Sequence, residues 1–150
     1  MDIKPAVLLG IHPCDINAIY LLDLVFSEQN LDERYMERRK NLTIIGVECL
    51  EPCSDEAFCF RKVSVLPWGG FDLFLTDLGE KFFVEVGTKK GEKLISKVAK
   101  KAKKTDEKKL AEKRKARDEL FDQKQPKLLP KLEDLPKLLW RNYRSTIWKK

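Results

Sequence analysis

Apolar residues in this chain fall into short runs whose period changes along its length. "AVLLG" (residues 6–10) and "LTIIGV" (residues 42–47) are continuous apolar runs, too short for helices, and they read as two buried strands. Between them, "CDINAIYLLDLVFSEQN" puts Ile16, Ile19, Tyr20, Leu22 and Val25 near helical spacing, with Asp15 expected as its N-cap. "LDERYMERRKN" reads as a second, charged helix ending near Asn41. A strand, helices and a strand in that order predict a parallel pair joined by a right-handed crossover. "FDLFLTD" and "KFFVEV" then predict two further strands, joined by "LGE", where Gly79 permits the positive φ of a tight hairpin.

From Thr88 the period becomes helical. Leu94, Ile95, Val98, Ala99 and Ala102 form a narrow apolar stripe on a Lys-rich helix, and "KKTDEKK" is expected to break it from a second charged helix running to about Gln123. Pro126, Pro130 and Pro136 mark a connector, and "LEDLPKLLWRNYRSTIWKK" starts as a short helix whose Leu135, Leu138, Leu139, Trp140 and Trp148 need a cover. The predicted fold class is α/β: a mixed sheet with a parallel βαβ core, an antiparallel hairpin and a Lys-rich helical C-terminal extension. The expected organisation is a cysteine-containing domain over 1–87, a basic helical extension over 88–124, and a Pro-containing connector over 125–150.

Charge sharpens that division. Residues 1–87 hold 8 Lys/Arg against 15 Asp/Glu, and residues 88–150 hold 22 against 9, so a net of +6 conceals an acidic part at −7 and a basic one at +13. A basic helical segment raises nucleic-acid binding as a possibility. Lysine dominates over arginine, however, and aromatics are not interleaved with the charges, so a solvated face or a surface for an acidic partner is the better reading. No apolar run reaches transmembrane length and the N-terminus has no secretory pattern, which predicts a cytoplasmic protein without a membrane partner. With one histidine and no Gly-rich phosphate loop or Ser/His/Asp set, the sequence offers no substrate-transforming site of its own.

The candidate chemistry is in the cysteines. "ECLEPCSDEAFC" places Cys49, Cys53 and Cys59 in a C-x₃-C-x₅-C loop after the second strand, and "GIHPCD" places Cys14 after the first. Ligand sites in open α/β sheets gather at the carboxyl ends of strands, where both loops begin. In a reducing compartment four thiols are metal ligands, redox groups or buried core residues rather than disulfides. Three sulfurs from one loop and one from a remote segment suit a [4Fe-4S] cluster. Zinc more often takes two short knuckles. Inert, buried thiols are the third reading.

"KPAVLLGIHPCDINAIYLLD", "DERYMERRKNLTIIGVECLEPC", "AFCF" and "GFDLFLTDLGEKFFVEVGTKKGEKLI" resemble the iron–sulfur beta subunits of cytoplasmic nickel–iron hydrogenases (sulfhydrogenases) and the related iron–sulfur proteins of anaerobic sulfite reductases. The similarity covers roughly residues 4 to 96 and returns in "LPKLLWRNYRSTIWKK", which resembles the approach to that family's ferredoxin module. The resemblance implies an electron-transfer protein that relays electrons between the catalytic and the flavin-containing subunits of a hydrogenase or sulfite reductase complex, with Cys14, Cys49, Cys53 and Cys59 as cluster ligands. It also implies that this chain is the central piece of a larger subunit, with the ferredoxin module expected just after Trp148. Family members often carry a C-x-C at the last loop position, where this chain has Phe58 before Cys59.

Neighbouring residues have blander readings. His12, beside Pro13, is expected in a turn at the surface rather than on a metal. Glu48, Glu51, Asp55 and Glu56 could lower a cluster potential by their field, but are expected merely to solvate the loop. Trp68, Phe71, Phe74, Phe82 and Phe83 are expected to pack the core and strands, with "WGG" keeping a lesser claim as a partner-contact loop.

Overall fold

The computed structural model describes residues 3–27, 30–54, 57, 59, 64–124 and 131–149. Four strands, β1 (Ala6–Ile11), β2 (Leu42–Val47), β3 (Leu73–Asp77) and β4 (Phe82–Val86), form one sheet in the order β1-β2-β3-β4. The pairs β1/β2 and β2/β3 are parallel and β3/β4 is an antiparallel hairpin, so the mixed α/β architecture read from the sequence is the one adopted. At the hairpin turn Gly79 takes φ +100, and its N–H donates to Asp77 Oδ1 at 2.6 Å.

The crossover between β1 and β2 is built from α1 (Pro13–Ser27) and α2 (Glu33–Asn41). The Asp32 side chain accepts from the Tyr35 N–H at 2.9 Å, an N-cap that starts α2 one turn before its basic end. Ile16 of α1 meets Ile44 of β2 and Phe74 of β3 in the fully buried core, with Ile11, Ile19, Leu42, Leu66 and Phe71 packed around them. Asn17 is buried beside Ile16. It ties α1 to the loop before β3, accepting from the Trp68 N–H at 2.8 Å and donating to Leu66 O at 3.4 Å.

A second polar anchor holds the hairpin to the parallel pair. Buried Asp72 accepts from the Ile44 N–H at 2.9 Å and from the Thr88 hydroxyl, and Thr88 caps α3 (Lys89–Ile95) by accepting from the Gly91 N–H at 3.1 Å. The acidic residue in "GFDLF" and the threonine in "VGTKKG" are therefore one linkage between β2 and the start of the helical segment.

The helical extension divides earlier than its polarity suggests. Residues 99–103 are outside helix, whereas "KTDEKK" belongs to α4 (Lys104–Lys124), whose first turn is closed by Asp106 accepting from the Lys103 N–H at 3.1 Å. Beyond it, a 3₁₀ turn (Leu132–Asp134) leads into α5 (Leu135–Asn142), with Pro136 in the first helical turn. Pro126 and Pro130 of the expected connector lie outside the described residues.

Register puts Ile44, Glu48, Phe74, Thr76 and Glu85 on one face of the sheet. The core end of that face is covered by α1. Its carboxyl end meets α4, through Glu48 and Glu85. The edge strand β1 is mostly exposed, including Val7 and Leu9 on the face away from Ile44. Among the described residues no helix is long and apolar enough to cross a membrane.

Candidate metal centre

The end of β1 is bent toward the end of β2 by an irregularity in their ladder. The register shifts between Leu9 and Ile11, and Gly10 between them takes φ +79. The chain then passes directly into α1. His12 O accepts from the Asp15 and Ile16 N–H groups at 3.1 Å each, which makes His12 the capping position, Pro13 the first helical residue and Cys14 the second. Asp15 lies inside the first turn, so it does not serve as the N-cap expected of it. On the neighbouring strand, the Glu48 N–H extends the ladder by donating to Leu75 O at 2.8 Å, and Cys49 follows.

Cys14, Cys49, Cys53 and Cys59 line one cavity at these two strand ends, with Pro13 and Phe121 in its wall. Cys53 is exposed and the other three are half-buried. The free space among them is about 10 Å³, close to the smallest volume that holds one water molecule. His12 also reaches the site: its Nδ1 is 3.9 Å from Cys53 Sγ, and the donor atoms of His12, Cys49 and Cys53 all lie within 4.8 Å of one another. The histidine is exposed in a turn, as expected, yet it faces the thiols.

Burial pushes the Cys49 thiol up to about 12, reinforced by Cys53, Cys14 and Cys59. Cys14 is raised by burial and then by Asp15, against the smaller downward pull of a backbone hydrogen bond at the helix start. Crowded thiols with little water hold their protons because several thiolates there would repel. A cation that replaces those protons removes the repulsion, which is the electrostatic condition for a thiolate metal site.

The residue before Cys49 is held more firmly than any signal in the loop suggests. The Glu48 side chain is fully buried. It accepts from Thr76 Oγ1 at 2.6 Å, from Arg114 Nε at 3.1 Å and Nη2 at 2.9 Å, and from Arg117 Nη1. Arg114 Nη2 also donates to Glu85 at 2.5 Å, and Arg117 Nη2 to Asp118 at 2.7 Å. Burial works to lower the Arg114 guanidinium, but its hydrogen bonds to Glu48 and Glu85 outweigh that and hold it above its ordinary value. Glu48 is thus a structural anchor and not a solvated loop carboxylate.

Glu51 is exposed, and Asp55, Glu56 and Phe58 lie outside the described residues. Among the aromatics expected in the core, Phe74 is fully buried and Phe71 packs beside it at a ring separation of 5.6 Å, whereas Trp68 is 55% and Phe82 54% exposed. β4 is an edge strand and Trp68 is held only through its backbone, so neither ring has a second layer to enter. Arg114, Arg117 and Phe121 are not among the residues the sequence reading singles out. The available signal is spacing: Leu110, Arg114, Arg117 and Phe121 repeat at i, i+4, i+7 and i+11 along one helix face, and the two arginines stand among lysines.

The chain is similar to sulfhydrogenase 2 subunit beta of Pyrococcus furiosus, 39% identical over 85 residues, which cover 57% of this chain and 25% of that relative. The resemblance to hydrogenase beta subunits carried by the motifs is upheld by this match, and the chain spans about a quarter of the length of the curated relative it matches. No protein-family model and no solved structure matches the chain.

Proposed function

We propose that this chain is the cluster-binding α/β part of an iron–sulfur electron-transfer subunit in a hydrogenase-type complex, and that Cys14, Cys49, Cys53 and Cys59 hold one [4Fe-4S] cluster. The observation that carries this reading is that four thiols, drawn from two adjacent strand ends, line one cavity. Similarity to a sulfhydrogenase beta subunit supports the redox assignment and hydrogenase-type partners, one catalytic and one flavin-containing. When bound, such a cluster supplies a centre that accepts and releases one electron.

The chain's own residues divide the work. Cys14 is fixed by the first turn of α1 and Cys49 by the end of β2, so these two sulfurs are set by secondary structure. Exposed Cys53 and half-buried Cys59 belong to the loop. Because the space among the thiols is about 10 Å³, a cubane fits only if the loop sulfurs move outward while Cys14 and Cys49 stay in place. The raised thiols of Cys49 and Cys14 release protons when metal binds.

One observation favours a second reading, a single zinc ion. Ligand atoms on one tetrahedral ion lie about 3.5–3.8 Å apart, and the 3.9 Å from His12 Nδ1 to Cys53 Sγ, with Cys49 in the same group, is near that spacing. Anaerobic purification with iron, sulfide and zinc assays separates the two. The cluster reading expects iron and sulfide in equal amounts, and an equally severe loss in Cys14→Ser and Cys53→Ser. Zinc without iron, lost on His12→Ala, establishes the second reading. Full cluster content in Cys14→Ser overturns the ligand set.

A further inference from the structure

Phe121 has 1% of its surface exposed although it sits near the end of a helix that is otherwise rich in lysine. Its ring shares the wall of the cysteine cavity. One turn earlier, Arg117 is buried against Glu48, the residue immediately before Cys49 and 69 positions away in sequence. A turn before that, Arg114 bridges Glu48 and Glu85. The helix is therefore fastened to the carboxyl edge of the sheet by two guanidinium groups, and the next turn delivers an aromatic ring to the thiols.

Burying an arginine and a glutamate together is costly, and an isosteric apolar contact would serve stability as well or better. What the ionic contact adds is direction: a guanidinium fork on a carboxylate sets both the register and the rotation of the helix. One residue of slip along α4 would carry the ring about 100° around the helix and away from the cavity. We infer that Phe121 is the lid of the cysteine site, positioned by the Arg114/Arg117 clamp on Glu48, and that it excludes water and small reagents from the thiols and from the metal–sulfur group they hold.

The inference rests on the proposed function for what the thiols hold, but not for the shielding itself. The test accordingly has two arms. In chelator-treated protein kept reduced, native-state alkylation of Cys49 and Cys14 is followed by mass spectrometry in the series wild type, F121L, F121V and F121A. The Cys49 rate should rise along the series as ring volume is removed, reaching about tenfold or more in F121A, which corresponds to ~1.4 kcal/mol of lost protection. F121L and F121V keep apolar volume in the wall and hold the measurement open if F121A does not fold. In anaerobically loaded protein, bleaching of the visible chromophore by oxygen or a chelator should accelerate in the same order.

Wild type without iron, but with the alkylation series intact, removes the cluster and leaves the lid. Equal Cys49 rates across the folded variants overturn the lid whatever the metal content. A structural role for Phe121 alone would change melting without ordering the alkylation rates by side-chain volume.

Discussion

Helices α4 and α5 present opposite faces of one problem. By its sequence α4 looks like a solvated rod, 21 residues dominated by charge, yet Leu110, Arg117 and Phe121 are buried on it. By its sequence α5 looks like a helix made to be buried, with "LPKLLW" segregating its apolar residues well, yet none of its residues is buried and Trp140 is 76% exposed. Hydropathy periodicity reports how much carbon a helix could bury. It is silent on attachment through a few buried polar contacts, and those are what hold α4 to the sheet.

The sharpest way to break this contrast is Arg117→Ala. The substitution leaves the fully buried Glu48 carboxylate with only Arg114 and Thr76, and removing one partner of a buried pair costs about 3–5 kcal/mol. Lys113→Ala, on the exposed side of the same helix, should change stability by no more than about 0.5 kcal/mol. Chemical denaturation of the two variants decides. A cost for Arg117→Ala no greater than for Lys113→Ala would mean that α4 is not docked through Glu48. Replacing both Glu48 and Arg117 by apolar residues of similar volume should recover part of the loss, since neither desolvated charge then remains.

A contact between α1 and α2 offers an intermediate case. The Tyr35 hydroxyl donates to Asp23 at 2.7 Å, and Arg39 Nε holds the same carboxylate at 2.9 and 3.0 Å, but these side chains are only partly buried. Burial, and next the hydrogen bond to Asp23, pushes Tyr35 up to about 12. The fold therefore favours the protonated phenol. Its contribution is fully present below the unfolded value of about 10 and is lost as pH rises through about 12. Tyr35→Phe should cost about 1 kcal/mol near neutrality. The difference between wild type and variant should shrink as pH is raised through that window, measured by denaturation at each pH. A difference that grows there would reverse the assignment of Asp23 as acceptor.

How much of this is legible in the sequence depends on the kind of contact. β2 is legible to its last residue because "LTIIGV" is β-branched, continuous and bounded by Asn41 and the cysteine loop. The hairpin is legible through Gly79. Convergence of Cys14 on Cys49 follows as soon as two strands are made parallel neighbours, since both loops then leave the same edge. Proximity of His12 to Cys53 does not, because the bend at Gly10 and the helix start at Pro13 decide where that ring points. Polarity misplaces the helix break because "KKTDEKK" is polar throughout, while Asp106 in fact closes the first turn of α4. The clamp on Glu48 spans 66 and 69 positions, and no local pattern reports a contact of that separation. Only the two arginines on the Leu110–Phe121 face hint at it.

The smallest expected effect belongs to α5. Trp140 stacks on Tyr143 at a ring separation of 5.4 Å, and Arg144 lies 5.2 Å from the centre of the Tyr143 ring, so the contacts of this aromatic group are local to the segment. Leu138 and Leu139 are likewise exposed beside it. A ring that is largely exposed in the folded chain has little burial to lose, so Trp140→Ala should change unfolding free energy by no more than about 0.5 kcal/mol. Exposed rings and leucines clustered on one short helix do form a sticky patch, however. The same substitution should therefore weaken self-association at high protein concentration in sedimentation equilibrium, and backbone amides of residues 138–142 should exchange much faster than those of β2 and β3. A loss of stability of about 1.5 kcal/mol or more in a protein verified to be monomeric would show that this chain covers Trp140 itself, and the difference drawn between α4 and α5 would then be one of degree.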